Sequence, residues 1–351
     1  MKSIDVAILG ATGMVGQDYI HMLANHPYFR VKCLTGSESV GKRYGEAASW
    51  KGAYDIPSKY ADLEVLPTDP RVIDADLVFS PLPTDVAKTV EPLFAKAGFP
   101  LVSDASTHRM EKDVPLIIPE VNPDHIELIK IQKKNRSWDG FIVTTPNCTT
   151  VGLALVLKPL CDKYQINKVI VTTMQAVSGA GFPGVPSLLI IENVIPYIKD
   201  EEEKVRIETL KLLGKFDGEK IMNANLKIAV SCNRVPTLDG HLETVYIESS
   251  DKLDVDDVKE TLRSFQGEPQ RLKLPTAPTQ PIIVREELDR PQPRLDRMAG
   301  SIPGMSVVVG RVRRGIDEHS LQLTLLSHNT IRGAAGTAIL AAELLLAQGW
   351  V

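Results

Sequence analysis

The sequence predicts an α/β fold with two domains, a doubly wound parallel sheet followed by an α+β domain with a largely antiparallel sheet. The length of 351 residues exceeds what one compact core ordinarily supports. Through residues 1–150, short apolar runs alternate with helical patterns. Through residues 165–330, strand-like runs are grouped apart from helical ones. These three observations predict two domains of different architecture.

Composition and charge narrow the functional classes. Apolar residues make up 43% of the chain and charged residues 24%, as in ordinary globular proteins. Lys and Arg total 40 against 44 for Asp and Glu, and there is no basic stripe, which argues against nucleic-acid binding. The N-terminus lacks a signal-peptide pattern, and the apolar run 334–347 is too short to cross a bilayer. We therefore expect neither export nor membrane insertion.

The four cysteines and seven histidines do not form a metal-binding pattern. No two cysteines have C-x-x-C spacing, and no two histidines have the H-x-x-x-H spacing of a zinc site. We therefore expect no bound metal. Four scattered thiols are typical of a protein from a reducing cytoplasm.

The first domain opens with a strand, a glycine-rich turn and a helix. An apolar strand is predicted at residues 4–9, and helical spacing of apolar residues starts at Met14. The other elements predicted in this domain are strands at 30–36, 74–83 and 99–106 and a helix at 84–98 that ends at Gly98. Strands alternating with helices indicate a parallel sheet.

The turn GATGMVG, residues 10–16, is a candidate dinucleotide site. Its three glycines let backbone N–H groups approach a pyrophosphate, and the following helix N-terminus favours an anion. A Rossmann-like dinucleotide-binding domain is therefore predicted. A tight strand-to-helix turn without a ligand is the alternative. The residues predicted to hold the cofactor here are Gly10, Thr12, Gly13, Met14, Val15 and Gly16.

The segment 35–43 after the second strand predicts NADP as the dinucleotide. Ser37 and Ser39 can donate hydrogen bonds to a 2′-phosphate, and Lys42 adds positive charge; Thr35 and Arg43 offer the same two properties. Glu38 complicates this prediction because an acidic residue here suits the ribose 2′-OH of NAD. A polar surface loop without a ligand remains the alternative.

The stretch 141–160 carries a candidate nucleophile. FIVTT reads as a strand, Pro146 ends it, and helical spacing follows from Thr149, so Cys148 lies near a helix N-terminus. Helix-end N–H groups are expected to stabilise a thiolate and lower the thiol pKa. A buried, unreactive cysteine is the alternative. Cys33, Cys161 and Cys232 lie in apolar patterns and are expected to be structural.

A second candidate pair lies in residues 227–250, which read as two strands around a break at Pro236 and Gly240. Arg234 and His241 flank this break. Strict alternation would place them on opposite faces, and we expect the kinks to turn both toward one pocket. The break makes His241 a candidate base, with a half-exposed strand histidine as the alternative.

The rest of the sequence predicts the elements of the second domain and the return of the last helix to the first. Further strands at 168–177, 305–314 and 319–328 and helices near 187–197, 201–215 and 254–265 predict the largely antiparallel α+β domain over 149–329. The proline-rich segment 267–304 is expected to pack on a partner or on the sheet. The last helix is expected to return, so that 1–148 and 330–351 form the dinucleotide-binding domain. An apolar sheet face in the second domain would suit a homodimer interface.

Ten collinear motifs along nearly the whole chain resemble the archaeal and fungal branch of the aspartate-β-semialdehyde dehydrogenase family. They are GATGMVG (10–16), SESVGKRYG (37–45), SDASTHRM (103–110), VPLIIPEVN (114–122), TTPNCTT (144–150), QAVSGAGFPG (175–184), EEEK (201–204), NRVPTLDGH (233–241), RPQPRLDR (290–297) and GMSVVVGR (304–311). The chain differs from the family pattern at two positions, because it has Gly36 and Glu38 where relatives often carry serine and arginine. This difference weakens the prediction of NADP.

The resemblance implies roles for individual residues. Cys148 matches the nucleophile and His241 the acid/base histidine, while Arg234 matches the arginine that pairs with the substrate α-carboxylate. The other substrate-binding residues implied are Arg109, Asn147, Gln175, Glu202 and Lys204. The nicotinamide contacts implied are Ser178, Gly179 and Asn329. The first-turn acids of the helix at 201 would also stabilise its N-terminus without touching substrate.

The resemblance implies reductive dephosphorylation of L-aspartyl 4-phosphate by NADPH through a cysteine thioester, in lysine, methionine and threonine synthesis. His241 would take the thiol proton and later return one. An acyl-CoA reductase of the malonyl-CoA type is the enzyme alternative, and a non-catalytic nucleotide sensor is the non-enzyme alternative. A small-molecule substrate and a homodimer or homotetramer are expected.

Overall fold

A computed structural model describes residues 3–51 and 55–351. Its first sheet has six parallel strands in the order β3-β2-β1-β4-β5-β6. This order reverses direction between β1 and β4, and dinucleotides bind at such a switch point in open α/β sheets. The strands are β1 (Ile4–Ile8), β2 (Phe29–Gly36), β3 (Val65–Pro67), β4 (Leu77–Ser80), β5 (Pro100–Ser103) and β6 (Phe141–Thr144).

The second sheet is mixed, with the order β10-β7-β11-β14-β13-β12. Its three central pairings, β7–β11, β11–β14 and β14–β13, are antiparallel, whereas the edge strands β10 and β12 pair in parallel. A small hairpin, β8–β9, stands apart. The strands are β7 (Ile166–Gln175), β8 (Lys215–Phe216), β9 (Ile221–Met222), β10 (Lys227–Arg234), β11 (His241–Ser249), β12 (Ile282–Val284), β13 (Val307–Arg314) and β14 (Ser320–Ser327).

Helices cover both sheets, and none in the described part of the chain is long and apolar enough to cross a membrane. They are α1 (Met14–Met22), α2 (Tyr44–Ala47), α3 (Ser58–Ala61), α4 (Thr84–Lys96), α5 (Leu128–Arg136), α6 (Cys148–Lys163), α7 (Ser187–Ile190), α8 (Glu201–Leu212), α9 (Val255–Arg263), α10 (Glu268–Arg271), α11 (Pro293–Asp296) and α12 (Gly336–Ala347).

Two hydrophobic cores show where helix α6 lies. The last helix, α12, contributes Ile339 and Leu344 to a core shared with Val6 and Phe79 of the first sheet. Helix α6 packs instead on the second sheet, as Leu155 shows. The division into residues 1–148 with 330–351 and residues 149–329 stays a prediction, because the first core also contains Leu274 and Met305 and the second also contains Leu116 and Ile118. The N-terminus of α6 thus lies where the chain passes from one sheet to the other.

The structure corrects one predicted helix and locates the proline-rich segment. The helix predicted at 187–197 is wrong beyond its first turn, because Ile195 exchanges both backbone hydrogen bonds with Arg234, at 3.0 and 2.9 Å, and so extends the sheet edge. The proline-rich segment 267–304 packs on the second sheet, since its strand β12 pairs with β13. The short strands β3, β8, β9 and β12 were not predicted.

Candidate active site

Helix α6 begins at Cys148 because Asn147 caps it. The Oδ1 atom of Asn147 accepts hydrogen bonds from the backbone N–H groups of Thr149, at 2.9 Å, and Thr150, at 3.4 Å. This cap satisfies donors that an α-helix leaves free at its start. The predicted position of Cys148 at a helix N-terminus is confirmed.

The sulfur of Cys148 lies 3.2 Å from Nε2 of His241. His241 is the first residue of β11 and follows Gly240, whose φ of +97° is readily adopted only by glycine. The break at this glycine was predicted to turn Arg234 and His241 toward one pocket. Both side chains do lie beside Gly179, where an added Cβ would come within 2.8 Å of Nη1 of Arg234 and 3.1 Å of Nε2 of His241. Both belong to one cluster, which is the candidate active site.

Strand register aligns the polar side chains beneath α6. Arg234 is opposite Gln175 across β10 and β7, and His241 is opposite Ser327 across β11 and β14. Cross-strand partners point to the same face of a sheet. All four side chains are buried. A row of polar groups therefore crosses the second sheet at the end that meets Cys148.

Arg234 is fixed by the chain that follows β7. Its Nη1 donates to the carbonyl oxygen of Ala176 at 2.6 Å, and a Cβ on Gly179 would come within 2.8 Å of that nitrogen. A glycine is therefore needed there, because any side chain would displace the guanidinium. Burial lowers the pKa of Arg234 without removing its charge at neutral pH.

The acidic residue that the structure brings into the site is Glu201, whereas the sequence pointed to Glu202. Oε1 of Glu201 accepts from Nδ2 of Asn147 and Nε2 of Gln175, both at 2.9 Å. Glu202 instead accepts the backbone N–H of Cys232 at 3.1 Å, on the edge strand β10. Successive residues of a helix point about 100° apart, so only one of the two can face Asn147. Lys204, one turn further, is half-buried.

Glu208 belongs to the site and was not predicted from the sequence. Its Oε1 accepts from Nη1 of Arg109 at 3.1 Å, and its Oε2 accepts from the backbone N–H of Asn147 at 2.6 Å. Glu208 lies two turns after Glu201 on the same face of α8, and this spacing was the available signal. Arg109 also donates to the carbonyl oxygen of Asp104 at 2.6 Å.

The protonation states differ from the prediction of a lowered thiol pKa, which is wrong for this structure. Burial, together with the Glu201 carboxylate, raises the pKa of Cys148 to about 12, although Arg109, Arg234 and the backbone N–H of Thr149 oppose the shift. Burial, with the charge of Arg234, lowers the pKa of His241 to about 3. Both groups are therefore neutral at pH 7. The Nδ1 atom of His241 accepts the backbone N–H of Ala176 at 3.1 Å.

A cavity of about 210 Å³ joins the sulfur to the glycine-rich turn. It is lined by Met14, Val15, Asp104, Arg109, Asn147, Cys148, Ser178, Gly179, Gly181, Asn329, Thr330, Gly333 and Ala334. Eight of these residues were predicted as site residues. Gln175, Arg234 and His241 are buried beside the sulfur and are not among the lining residues of this cavity.

The glycine-rich turn has the geometry of an anion cradle. Gly10 has a φ of +67°, and a Cβ on Gly16 would come within 2.7 Å of the carbonyl oxygens of Gly10 and Ala11. Gly13 precedes α1 without a side-chain cap, and Met14 and Val15, the first two residues of α1, line the cavity. Thr12 is half-buried beside them. The turn therefore fits a dinucleotide pyrophosphate.

The segment after β2 offers one available cation. Ser37 and Lys42 are exposed and Ser39 is half-buried. Arg43 is paired with Asp62 at 2.9 Å. Thr35 is buried, and its Oγ1 accepts the backbone N–H of Gly10 at 3.3 Å, so it supports the turn.

The chain around Asn329 closes the other side of the cavity. Nδ2 of Asn329 donates to Oγ of Ser178, and its Oδ1 accepts the backbone N–H of Gly240, both at 2.8 Å. A π-helical turn, Ile331–Ala335, follows and is anchored by the buried ion pair of Arg332 with Glu120 at 2.7 Å. Such turns are frequent at functional sites.

Two family models match the chain. One, described as the NAD binding domain of semialdehyde dehydrogenase, matches residues 5–129, and the other, described as the dimerisation domain, matches residues 157–332. The chain belongs to the semialdehyde dehydrogenase family. The predicted resemblance and the predicted class of nicotinamide-dependent oxidoreductase are therefore confirmed.

Relatives within this semialdehyde dehydrogenase family extend over the whole chain. An aspartate-semialdehyde dehydrogenase of Archaeoglobus fulgidus is 56% identical over 98% of each chain. A malonyl CoA reductase (NADP) of Metallosphaera sedula is 45% identical over 100% of this chain and 99% of its own. The crystal structure of aspartate semialdehyde dehydrogenase with NADP from Candida albicans has a TM-score of 0.91 at 40% identity, with full coverage of both chains.

Proposed function

We propose that this protein catalyses the NADPH-dependent reductive dephosphorylation of L-aspartyl 4-phosphate to L-aspartate 4-semialdehyde, a step of lysine, methionine and threonine synthesis. The observation that carries the proposal is the 3.2 Å contact of the Cys148 sulfur with His241, at a cavity that reaches the glycine-rich turn. A nucleophile beside a nicotinamide site suits acyl reduction through a thioester.

The charges around the sulfur match those of an aspartyl phosphate. Arg234 would pair with the α-carboxylate, because a planar guanidinium suits bidentate recognition. Glu201, rather than Glu202, would accept from the α-ammonium group, since its carboxylate lies beside Asn147. Arg109 and Lys204 would hold the phosphate. An unpartnered Nε on buried Arg109 supports this role, within the part of the chain that the structure describes.

The reaction is proposed to proceed through a covalent acyl enzyme. The sulfur of Cys148 attacks the acyl carbon, phosphate departs, and a thioester on Cys148 results. NADPH, when bound, supplies the hydride that reduces this thioester carbonyl. Asn147 and Gln175 position the acyl group, and His241 contacts the sulfur as it gains and loses charge.

The cofactor is proposed to lie along the carboxyl ends of β1 and β4. The backbone at Gly13, Met14 and Val15 would hold the pyrophosphate, because no side chain caps the start of α1. Ser37, Ser39 and Lys42 would hold the 2′-phosphate. At the other end, Ser178, Gly179 and Asn329 line the cavity where the nicotinamide would meet the sulfur.

A malonyl-CoA reductase activity is the second candidate, because the Metallosphaera sedula relative with that name is 45% identical to the chain. Its substrate has no α-ammonium group, so the Glu201, Asn147 and Arg234 set favours the aspartyl substrate. Assays of the purified protein with both substrates separate the two. NADP reduction with aspartate semialdehyde and phosphate supports the proposal, and activity confined to malonyl-CoA overturns it.

A homo-oligomer built on homodimers is also proposed. The second family model is a dimerisation domain, and exposed apolar side chains gather in residues 182–197, with Leu188 94% and Ile191 62% exposed. On the second sheet, Ile170 is 43% exposed. Light scattering on the purified chain tests this; a monomer at micromolar concentration would contradict it.

A further inference from the structure

The segment 104–114 follows β5 and carries Arg109, which lines the cavity. The structure describes all of this segment and shows neither a helix nor a strand in it, so side chains from other elements must hold it in place. We infer that Lys211 of α8 is a positioning residue, which sets Arg109 at the phosphate position by binding the backbone of the segment. The inference rests on the proposed function, in which Arg109 holds the substrate phosphate.

The ammonium group of Lys211 directs all its hydrogen bonds to this segment. Its Nζ atom donates to the carbonyl oxygens of Arg109 at 2.6 Å, Val114 at 2.9 Å and Glu111 at 3.0 Å. An ammonium group has three N–H donors and no acceptor. One lysine therefore uses its full donor capacity on three carbonyl groups of a single segment, and the shortest of these bonds is at Arg109.

The burial of Lys211 shows that these contacts are more than space filling. Lys211 is 4% exposed, and burial lowers its pKa to about 8, although the carboxylates of Glu111, Glu208 and Asp113 oppose this shift. A side chain that only filled this space would cost less if it were apolar, because a buried ammonium group loses its hydration. The three hydrogen bonds to the segment 104–114 account for a lysine at this position.

Helix α8 holds Arg109 at two points. Glu208 and Lys211 are three residues apart on this helix and share one face. Glu208 accepts from Nη1 of Arg109 at 3.1 Å, while Lys211 binds the carbonyl oxygen of the same arginine. Lys204, the other residue proposed to hold the phosphate, also belongs to α8. The contact of Lys211 with the segment therefore fixes the two phosphate-binding cations relative to each other.

Steady-state kinetics of the full chain separate positioning from general stability. Initial rates are measured with aspartate semialdehyde, NADP and inorganic phosphate, each varied in turn. Lys211→Met removes the three N–H donors and keeps an unbranched side chain. We expect its KM for inorganic phosphate to rise about tenfold, since misplacing a binding group by about 1 Å can cost more than this, and its other two KM values to stay unchanged. Lys215→Met, at an exposed lysine of β8, is the control.

The three KM values distinguish this role from a merely structural one. A loss of folded enzyme lowers kcat and leaves every KM unchanged. An unchanged KM for inorganic phosphate in Lys211→Met, or an equal rise in all three KM values, overturns the inference.

A double-mutant cycle tests whether Lys211 acts through Arg109. Arg109→Ala alone should raise the KM for inorganic phosphate, and Lys211→Met should add little in that background, because the arginine that it positions is gone. Independent effects of the two substitutions overturn the inference. A raised KM in Arg109→Ala but not in Lys211→Met overturns the inference alone, whereas an unchanged KM in Arg109→Ala refutes the proposed phosphate site and the inference with it.

Lys211→Arg serves where Lys211→Met does not fold. Arginine keeps a cation and N–H donors, but its larger planar head group cannot place three donors around one nitrogen. We expect its KM for inorganic phosphate to rise about threefold, with the other KM values unchanged. Hydrogen exchange of the full chain, followed by mass spectrometry, needs no substrate: peptides from 104–114 should exchange faster in the variant than in the wild type, and peptides from α12 should not. Equal exchange in 104–114 overturns the inference.

Discussion

The carboxylate of Glu208 lies 2.6 Å from the backbone nitrogen of Asn147, and this contact fixes the start of the catalytic helix. The other oxygen of the same carboxylate binds Arg109 at 3.1 Å. One side chain of α8 therefore connects the cap of α6 with an arginine of the cavity wall. Since Glu208 is 1% exposed, both contacts form away from water.

Glu208→Gln is expected to destabilise the protein and to slow turnover. The new amide must point its N–H₂ at either Arg109 or the N–H of Asn147, which leaves a buried charge uncompensated. We expect a loss of about 2–3 kcal/mol in the free energy of unfolding, measured by chemical denaturation. Glu203→Gln, on the exposed face of α8, is expected to change stability by no more than about 0.5 kcal/mol. Similar values for the two variants would contradict the role of Glu208.

The thiol of Cys148 is expected to be less reactive at neutral pH than a free cysteine. Burial raises its pKa to about 12, so the thiolate becomes populated only at alkaline pH. We expect the rate of iodoacetamide alkylation at Cys148, followed by peptide mass spectrometry, to rise steadily above about pH 9. A synthetic peptide of residues 144–150 is the reference. A plateau that begins below pH 7 would show a preformed thiolate and contradict this account.

Lys42 is expected to determine the preference for NADP. Lys42 is exposed, whereas its neighbour Arg43 is paired with Asp62. Lys42→Ala should weaken NADP binding by up to about fivefold, as for the loss of one exposed charge contact, and leave NAD binding unchanged. Arg43→Ala, measured in the same fluorescence titrations, should have the smaller effect. The reverse order would assign the 2′-phosphate to Arg43.

Glu91 is expected to make stability depend on pH. Burial raises the pKa of Glu91 to about 7, although the hydroxyl groups of Ser80 and Ser103, each at 2.6 Å, oppose the shift. Between pH 4.5 and 7 the folded state then binds more protons than the unfolded state, so the unfolding free energy falls as pH rises. The fall is at most about 3 kcal/mol. Glu91→Gln should lack this contribution, and parallel pH profiles for the two proteins would contradict it.

Much of the fold followed from local patterns. The apolar runs and glycine-rich turn that predicted the first domain correspond to β1, α1 and β2, because burial in a parallel sheet and helical spacing leave direct traces in sequence. The length of helix α7 was overestimated because Ile195 pairs with Arg234 in a β-bridge. Such pairing joins distant segments and cannot be read from one of them.

The candidate site was predictable in its residues but less so in its electrostatics. Cys148 and His241 were found from the breaks beside them, whereas Glu208 and the choice of Glu201 over Glu202 depend on the phase of α8 against Asn147. The thiol pKa was predicted in the wrong direction. The helix N-terminus is local and visible in sequence, but the burial that outweighs it arises from packing of distant segments.

Acyl transfer to Cys148 is the central claim, and mass spectrometry of the protein mixed with L-aspartyl 4-phosphate and no NADPH tests it most directly. We predict a mass increase of one aspartyl group on the peptide that contains Cys148, absent from Cys148→Ser and retained in Cys161→Ser. Turnover without any such adduct, or an adduct on another residue, would contradict the account.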